Sequence, residues 1–456
     1  MKHKSSFFIS VLNLAFPVAL QSMLQASFGI VDQIMIGQLG SVSVAGVGLA
    51  GKFSSIASVV VAAIGAVAGI MISQYLGQKN SPEVRRSFYI NMLFSLVIAG
   101  LFTVLSILLP TTVMGLYTKD HVTRQVAAAY LAIIAGTFLP MAGATLLSTL
   151  FRCMEKARIP LYASIVSAII NTGLNYVLIF GKCGMPAMGA NGAAIATVIA
   201  QFMNFFIMLF MIRKLTGTLS LAIKEKRMYS QFNWKQYGAM LLPILVCEVL
   251  WSLGENVYAM IYGHMGTAAS AAMTLLNPIQ GLMIGALCGL SQAAGIIVGK
   301  KLGNKEYEEA YQASKKLILY GLAGAAMLSV VIILTRSVYV EIYQVDSNVK
   351  QLTSQIMIAY ALIAPFKVVN MILGGGIMRS GGKTKYVMFI DLIGTWGFGV
   401  WLGLFAAFVL NLSIPYVYFI LSMEECIRFV ISVVVFSKRK WMQSLEPVAS
   451  YQGDGA

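Results

Sequence analysis

Long apolar runs separated by short polar stretches dominate the chain. Twelve runs share this character and lie at approximately 9–36, 48–74, 88–116, 125–150, 159–181, 188–212, 238–263, 270–299, 314–340, 351–377, 385–410 and 414–437. A helix that crosses the hydrocarbon core of a bilayer needs about 20 apolar residues. The runs are longer than the roughly ten residues of a β-barrel strand and do not alternate. The pattern therefore predicts an all-α integral membrane protein with twelve transmembrane helices.

The second half of the chain repeats the first at a shift of 226 residues. Aligned pairs include Pro17 and Pro243, Gly40 and Gly266, Gly77 and Gly303, Lys79 and Lys305, and Asp120 and Asp346. After one inserted residue, Arg152 aligns with Arg379. Each half holds six predicted helices, an even number, so both halves enter the membrane from the same side. We therefore expect two pseudo-symmetric six-helix lobes around a central cavity.

The repeat and the polar stretches between the runs predict four regions. The regions are an N-terminal six-helix lobe (1–212), a cytoplasmic linker (213–236), a C-terminal six-helix lobe (237–440) and a cytoplasmic tail (441–456). The linker contains most of the longest charged stretch. The tail is polar, and we expect it to be poorly ordered.

Composition and charge placement support a membrane location. The chain is 58% hydrophobic and 11% charged, with a net charge of +16. Of its 33 Lys and Arg residues, five lie in the loops predicted outside and three (Lys52, Lys367 and Arg428) in predicted helices, and the remaining 25 lie on the predicted inner side. This asymmetry follows the positive-inside rule. We expect a multi-pass protein of the cytoplasmic membrane with both termini in the cytoplasm and no nucleic-acid partner.

The residues that usually carry catalysis or bind metals are scattered. The five cysteines form no CxxC pair, and the three histidines lie far apart in the sequence. No phosphate-binding loop and no nucleophile paired with a base appears. The sequence thus predicts neither an enzyme, nor a metal site, nor a bound cofactor.

One acid stands out in the first run. Gln21, Gln25 and Asp32 fall on a single helical face, and Asn171 and Asn175 lie one turn apart on the fifth predicted helix. A carboxylate in a membrane helix is costly and indicates a functional site by default. Interhelical hydrogen bonding alone would also retain the amides. We expect Asp32, with the two asparagines as neighbours, to face protein or water.

The second half repeats the helices without repeating this acid. Tyr258 aligns with Asp32, whereas Glu248 and Glu255 form their own stripe on the seventh predicted helix. Lys367 is positioned to neutralise one of these two acids. Asp391 adds a further carboxylate on the eleventh helix.

Two further acids of the second half have a base on their own helix. Glu424, Glu425 and Arg428 have the spacing of a local ion pair, and we interpret them as structural. Desolvation disfavours a charged carboxylate, so the other buried acids can take up a proton, a sodium ion or an organic cation. Competition of these three for one charge is the basis of antiport.

The stretches "LAFPVALQSMLQASFGIVDQIMIGQLG", "NTGLNYVLIFG" and "GGIMRSGGKTKY", together with the two-lobe repeat, resemble the multidrug and toxic compound extrusion (MATE) transporters. The resemblance covers nearly the whole chain. It implies a V-shaped central cavity and efflux of organic cations coupled to inward movement of protons or sodium ions. It also implies that Asp32 binds the coupling cation, with Asn171 and Asn175 lining the same site. Some members carry an acid where Asn175 stands.

The sequence therefore predicts secondary active multidrug efflux by a monomer in the lipid bilayer. Organic cationic compounds would leave in exchange for protons or sodium ions, which act as coupling ions in place of any cofactor. We predict a hinge at Pro17, because proline removes a backbone hydrogen bond from the helix. Gln21, Gln25, Glu248, Glu255, Tyr258 and Asp391 are candidates for contact with substrate or cation.

Two other interpretations remain at this stage. A flippase for lipid-linked oligosaccharides or lipid II resembles the same superfamily, but its anionic substrates favour a basic cavity and its members have fourteen helices. A non-transporting receptor or scaffold would not require intramembrane acids or a doubled lobe.

Overall fold

The computed structural model describes residues 2–215, 232–343 and 345–445, and its regular elements in these ranges are helical. The first eight helices are α1 Lys2–Gly37, α2 Ser41–Gly77, α3 Ser81–Leu108, α4 Pro110–Gly115, α5 His121–Ile134, α6 Phe138–Cys153, α7 Arg158–Phe180 and α8 Gly189–Leu215. The others are α9 Trp234–His264, α10 Thr267–Gly303, α11 Tyr307–Glu341, α12 Ser347–Asn370, α13 Thr384–Leu392, α14 Val400–Leu404, α15 Ile414–Ser422 and α16 Glu424–Ser437. A 3₁₀ turn joins α5 to α6, and π-helical turns follow α12, α13 and α14.

Within the described ranges, eleven helical segments are long and apolar enough to cross a membrane. They correspond to the first eleven predicted runs, so the protein is a multi-pass membrane protein. The twelfth run, 414–437, forms two helices, α15 and α16, which meet at Met423. Glu424 and Glu425 occupy the first turn of α16. Carboxylates favour the positive end of a helix dipole, which suits the start of a new helix at this point.

One π-helical turn has a visible tertiary cause. The Ser291 hydroxyl on α10 donates to the backbone carbonyl of Met371 at 2.8 Å, where the π-helical turn Met371–Met378 begins. The Met371 carbonyl therefore accepts a hydrogen bond from another helix and does not depend on the backbone hydrogen bonds of its own helix alone. Sequence spacing alone does not reveal such a bond between helices.

The internal repeat extends to backbone conformation. Lys79 and Lys305, an aligned pair, have φ values of 56° and 62°. Gly40 and Gly266, another aligned pair, have φ values of 92° and 111°. Left-handed backbone is uncommon for lysine, so its occurrence at both positions shows that the two halves share the same turn. The repeat is therefore structural and not a product of shared apolar composition.

The described chain separates into two compact units. The N-terminal unit comprises Leu20–Ile72 and Asn80–Phe232, and the C-terminal unit comprises Met1–Ala19, Ser73–Lys79 and Asn233–Ala456. Helix α1 therefore contributes to both units, and its division falls two residues after Pro17. The predicted boundaries at 212, 236 and 440 stay predictions, since most of the linker 213–236 lies outside the described residues.

Two glycines related by the repeat form a close crossing within the C-terminal unit. Gly77 of α2 lies against the backbone carbonyl of Lys300 on α10. Gly303 of α10 lies against the carbonyl of Gln74 on α2 in the same manner. A side chain at either position would overlap backbone oxygen, so glycine permits the approach of the two helices. The contact is reciprocal because the 226-residue shift relates both partners.

The first residues of the predicted tail are packed. Trp441 is 0% exposed, and its ring lies 5.7 Å from that of Phe436. The Gln74 amide donates to the carbonyl of Gln443 at 3.1 Å, and its oxygen accepts from the Leu445 amide at 2.6 Å. The expectation of a poorly ordered tail is thus wrong for residues 441–445, because a buried tryptophan and backbone hydrogen bonds hold them. Residues 446–456 lie outside the described residues.

Candidate functional site

Asp32 lines a cavity of about 320 Å³ in the N-terminal unit. The walls come from α1, α7 and α8, namely Leu24, Gln25, Phe28, Gly29, Asp32, Ser164, Ser167, Ala168, Asn171, Thr197, Ala200, Gln201 and Asn204. Asp32 is the single carboxylate in this lining, and the lining includes neither lysine nor arginine. The cavity therefore presents one acid among hydroxyl and amide groups, with no base to neutralise it.

Asn175 provides the closest contact to the acid. Its side-chain nitrogen donates to Asp32 Oδ1 at 2.6 Å, and the Asn175 side chain is 1% exposed. The second asparagine, Asn171, lies one turn earlier on α7 beside the same carboxylate. The structure thus brings together the three residues that spacing singled out, while their role in cation coupling stays a prediction.

The Asn171 amide lies between Asp32 and Thr197. Its nitrogen donates to Asp32 Oδ1 at 3.0 Å and to Oδ2 at 3.2 Å, and its oxygen accepts from the Thr197 hydroxyl at 3.2 Å. The nitrogen faces the carboxylate because a carboxylate only accepts hydrogen bonds.

The two glutamines of the predicted polar face have different surroundings. Gln25 lines the cavity with Asp32. Gln21 is buried, donates to Ser164 Oγ at 2.7 Å and accepts from the Arg152 guanidinium at 2.8 Å. The predicted face therefore contributes Asp32 and Gln25 to the cavity, whereas Gln21 joins helices.

Sequence reasoning missed the contribution of α8 to this cavity. Thr197, Gln201 and Asn204 all line it. Their spacing of i, i+4 and i+7 places them on one helical face. The same test that selected the polar face of α1 would have selected these three residues.

In the C-terminal unit, two of the predicted acids have partners on other helices. Arg379 lies 3.3 Å from Glu248 Oε1. Asp391 Oδ2 accepts from the Cys247 thiol at 2.8 Å, and Asp391 Oδ1 lies 3.8 Å from Arg428. Arg379 thus pairs with Glu248, whereas Lys367, the base expected to neutralise one of the two seventh-helix acids, lines a cavity with the other, Glu255.

Tyr258, which aligns with Asp32, belongs to a charged cluster. Its hydroxyl donates to Glu424 Oε2 at 2.6 Å. Arg428 lies 3.7 Å from Glu424 and 3.8 Å from Glu425, and all three side chains are buried. The predicted local ion pair is confirmed by these distances. At the position of the repeat that corresponds to Asp32, the C-terminal unit therefore has a neutral side chain hydrogen-bonded to an acid that already has a base.

Glu255 lines a second cavity, of about 370 Å³, together with Tyr258 and Lys367. The lining residues of this cavity all belong to the C-terminal unit.

Comparison with known proteins decides the family. The MatE family model matches residues 17–177 and 243–423, one match in each half of the repeat and together well over half of the chain. The chain belongs to the MatE family. The resemblance inferred from the sequence motifs is thereby confirmed, and the protein is a MATE-family transporter.

Relatives of this MatE protein match over most of their length. It is 23% identical over 442 residues to the uncharacterized transporter YisQ of Bacillus subtilis (strain 168), covering 95% of each chain. It is 25% identical over 419 residues to the probable multidrug resistance protein NorM of Agrobacterium fabrum (strain C58 / ATCC 33970), covering 89% of this chain and 88% of that one.

The fold matches a solved transporter of the same family. The structure of the Vibrio cholerae MATE transporter VcmN in the bent form aligns with a TM-score of 0.84 at 16% identity, covering 96% of this chain and 98% of that chain. The all-α membrane fold with two six-helix lobes is therefore shared with MATE transporters.

Proposed function

We propose that this MatE protein is a secondary active multidrug exporter of the cytoplasmic membrane, which moves organic cations out of the cell in exchange for protons or sodium ions. The observation that carries the proposal is the unneutralised Asp32 carboxylate in a cavity whose other polar groups are amides and hydroxyls. The name of the NorM relative supports multidrug transport. We further propose that the protein acts as a monomer with both termini in the cytoplasm.

Two amides stabilise the ionised form of Asp32. Asn175 donates to it at 2.6 Å, and the Asn171 nitrogen donates to its two oxygens at 3.0 and 3.2 Å. A proton, a sodium ion or an organic cation that binds Asp32 therefore competes with these hydrogen bonds, which favours release of the bound ion.

Antiport follows from competition for a single negative charge. An organic cation that enters the cavity and a small coupling ion both need the Asp32 carboxylate, since no other acid lines the cavity. Occupancy by one therefore weakens binding of the other, and the two are transported in alternation.

Pro17 is the proposed hinge for the accompanying movement. It lies inside α1, and α1 passes from the C-terminal unit to the N-terminal unit between Ala19 and Leu20. Proline removes one hydrogen bond of the helix ladder, so bending near Pro17 costs less than bending elsewhere in α1. A change of charge at Asp32 would act on the segment of α1 beyond this hinge.

The test is transport in proteoliposomes that contain either the wild type or the variant Asp32→Asn. Asparagine keeps the shape of the side chain and removes its charge, so ion-driven export of a cationic dye should fall to the level of empty liposomes. The matched control is Asp120→Asn, since Asp120 is an exposed helix N-cap and asparagine caps equally well. The control should transport like the wild type.

Proton and sodium gradients are imposed separately in this experiment, so the gradient that drives export identifies the coupling ion. Unimpaired export by Asp32→Asn under either gradient would contradict the proposal. If Asp120→Asn also lost export, the loss in Asp32→Asn could not be attributed to the Asp32 cavity.

A further inference from the structure

Exposed bases from two segments meet at one end of the C-terminal unit, where the start of α11 contacts the end of α16. The Tyr311 ring stacks on that of Phe436 at 4.9 Å, and Arg439 forms an ion pair of 2.8 Å with Glu308. In the topology that the positive-inside rule predicts, this end of both helices faces the cytoplasm. The basic patch at this contact consists of four exposed residues, Lys315, Lys438, Arg439 and Lys440.

Aromatic packing fixes the turn that carries three of these bases. Trp441, which follows them, is buried, its ring stacks on Phe436 at 5.7 Å, and its indole nitrogen donates to the Phe436 carbonyl at 3.1 Å. Arg439 has left-handed backbone with a φ value of 57°, and its amide donates to the same carbonyl at 3.1 Å. The patch is therefore ordered before a partner binds, so little conformational entropy is lost there on binding.

Two bases of the patch lie over one aromatic ring. The Lys315 ammonium is 4.5 Å from the centroid of the Tyr311 ring, and the Arg439 guanidinium carbon is 3.9 Å from the same centroid. Glu308 accepts a hydrogen bond from Arg439 and also interacts electrostatically with Lys315. One acid thus serves two neighbouring cations, and an anion beside Tyr311 would reduce the remaining repulsion between them.

Exposed apolar side chains continue from the patch along both helices. On α11, Leu319 and Leu322 follow Lys315 at i+4 and i+7 and therefore lie on the same helical face. On α16, Val434 precedes Lys438 by one turn and is also exposed. Helix α11 is long and apolar enough to cross a membrane. A phospholipid at this place would meet bases with its headgroup and apolar side chains with its acyl chains.

We propose that the basic patch binds an anionic phospholipid of the cytoplasmic leaflet, with its phosphate among Lys315, Lys438 and Arg439 and its acyl chains along Leu319 and Val434. A soluble anion would match the bases but would leave the neighbouring apolar side chains without a partner. A phospholipid with a choline headgroup brings a positive charge to the bases, which opposes its phosphate. An anionic phospholipid matches both the charge and the apolar surface.

This lipid site goes beyond the transport function proposed above and does not depend on it. The patch belongs to the C-terminal unit, and its bases line neither the Asp32 cavity nor the Glu255 cavity. Its test therefore measures lipid binding and not export, and the two proposals can fail independently.

The experiment measures lipid binding to the purified full-length protein in detergent by native mass spectrometry. Dioleoyl phosphatidylglycerol, which is anionic, is compared with dioleoyl phosphatidylcholine, which has the same acyl chains and no net charge. Each base near an anionic lipid contributes about a fivefold gain in affinity. We therefore expect the wild type to bind phosphatidylglycerol at least about fivefold more tightly. Inorganic phosphate at the same concentration should not displace it, because phosphate lacks acyl chains.

Glutamine substitutions assign the binding to the patch. The double variant Lys315→Gln, Lys438→Gln removes two bases and should bind phosphatidylglycerol about 25-fold more weakly than the wild type. The matched control is the double variant Lys119→Gln, Lys182→Gln, which changes two exposed lysines of the N-terminal unit in loops predicted to face outward. The control loses the same net charge and should bind phosphatidylglycerol as the wild type does.

Three results would overturn the lipid site. One is equal affinity of the wild type for phosphatidylglycerol and phosphatidylcholine. Another is displacement of phosphatidylglycerol by an equal concentration of inorganic phosphate, which would make the patch a site for a soluble anion. The third is an equal loss of binding in both double variants, which would show that net charge alone attracts the lipid. The first two are measured on the wild type, so a variant that fails to fold leaves the decision intact.

Discussion

At the scale of single residues, identical side chains on one helix have different roles. Gln21 and Gln25 lie one turn apart on α1, yet Gln21 bonds to Ser164 and Arg152 while Gln25 lines the cavity of Asp32. Helical spacing predicts that both residues share a face. It does not predict which neighbouring helix each residue meets, and this decides whether the amide stabilises the protein or contacts a ligand.

Replacement of each glutamine by leucine should separate these roles. Gln21→Leu removes two interhelical hydrogen bonds, each of which contributes roughly 0.6–1.7 kcal/mol in membrane proteins, so we expect the free energy of unfolding to fall by about 1–3 kcal/mol. Gln25→Leu should leave that free energy within about 0.5 kcal/mol of the wild type and should change the efflux of cationic dyes. Equilibrium unfolding in mixed micelles and dye efflux provide the two measurements; equal loss of stability in both variants would refute the distinction.

The sequence revealed the acids of both units but not their partners. Asp32, Asn171 and Asn175 were recognisable because their own helices place them on polar faces. The pairing of Glu248 with Arg379 was not, because the two residues are 131 positions apart and only packing brings them together.

At the scale of elements, bilayer thickness made the helices predictable. Each of the first eleven apolar runs corresponds to a helical segment, because a spanning helix must have a minimum apolar length. The interruptions were not predictable. The break at Met423 and the π-helical turn at Met371 depend on local charge and on a bond from another helix.

The crossing of α2 and α10 supports a prediction about glycine. Gly77→Ala should lower the free energy of unfolding by about 1–3 kcal/mol, because the new methyl group meets the backbone carbonyl of Lys300, which cannot move aside as a side chain can. Gly303→Ala should have the same effect through Gln74. The matched control is Gly51→Ala on the same helix, where nothing lies within 4 Å of the added carbon. Thermal unfolding of the purified variants measures the effect, and a melting temperature of Gly77→Ala equal to that of Gly51→Ala would contradict it.

At the scale of the whole molecule, the repeat conserves the backbone and changes the chemistry. The aligned turns at Lys79 and Lys305 have the same left-handed conformation. In contrast, the position of Asp32 is occupied by Tyr258, a neutral side chain whose partner Glu424 lies 3.7 Å from Arg428. We expect the coupling ion to bind in the N-terminal unit alone, so ion exchange is unequal between the halves.

The orientation proposed from the positive-inside rule has a direct test in Cys183. This cysteine is exposed, and it lies between α7 and α8 in a loop predicted to face outward. A membrane-impermeant maleimide added to whole cells should therefore label the wild type and should not label Cys183→Ser. In the Cys183→Ser background, a cysteine introduced by Asn304→Cys, in a loop predicted to face the cytoplasm, should react only after the cells are permeabilised. Labelling of Asn304→Cys in intact cells, with labelling of Cys183 only after permeabilisation, would show that the protein has the opposite orientation.

The reciprocal contact between Gly77 and Gly303 also has a consequence for synthesis of the protein. The end of α2 belongs to the C-terminal unit, and its partner on α10 follows 226 residues later in the chain. At a translation rate of about 5–20 residues per second, the ribosome delivers α10 roughly 10–45 s after α2. During that interval, the last turn of α2 is made before the helix that covers it exists. Completion of the C-terminal unit is therefore a late event in biogenesis, although its first residues are the first to be made.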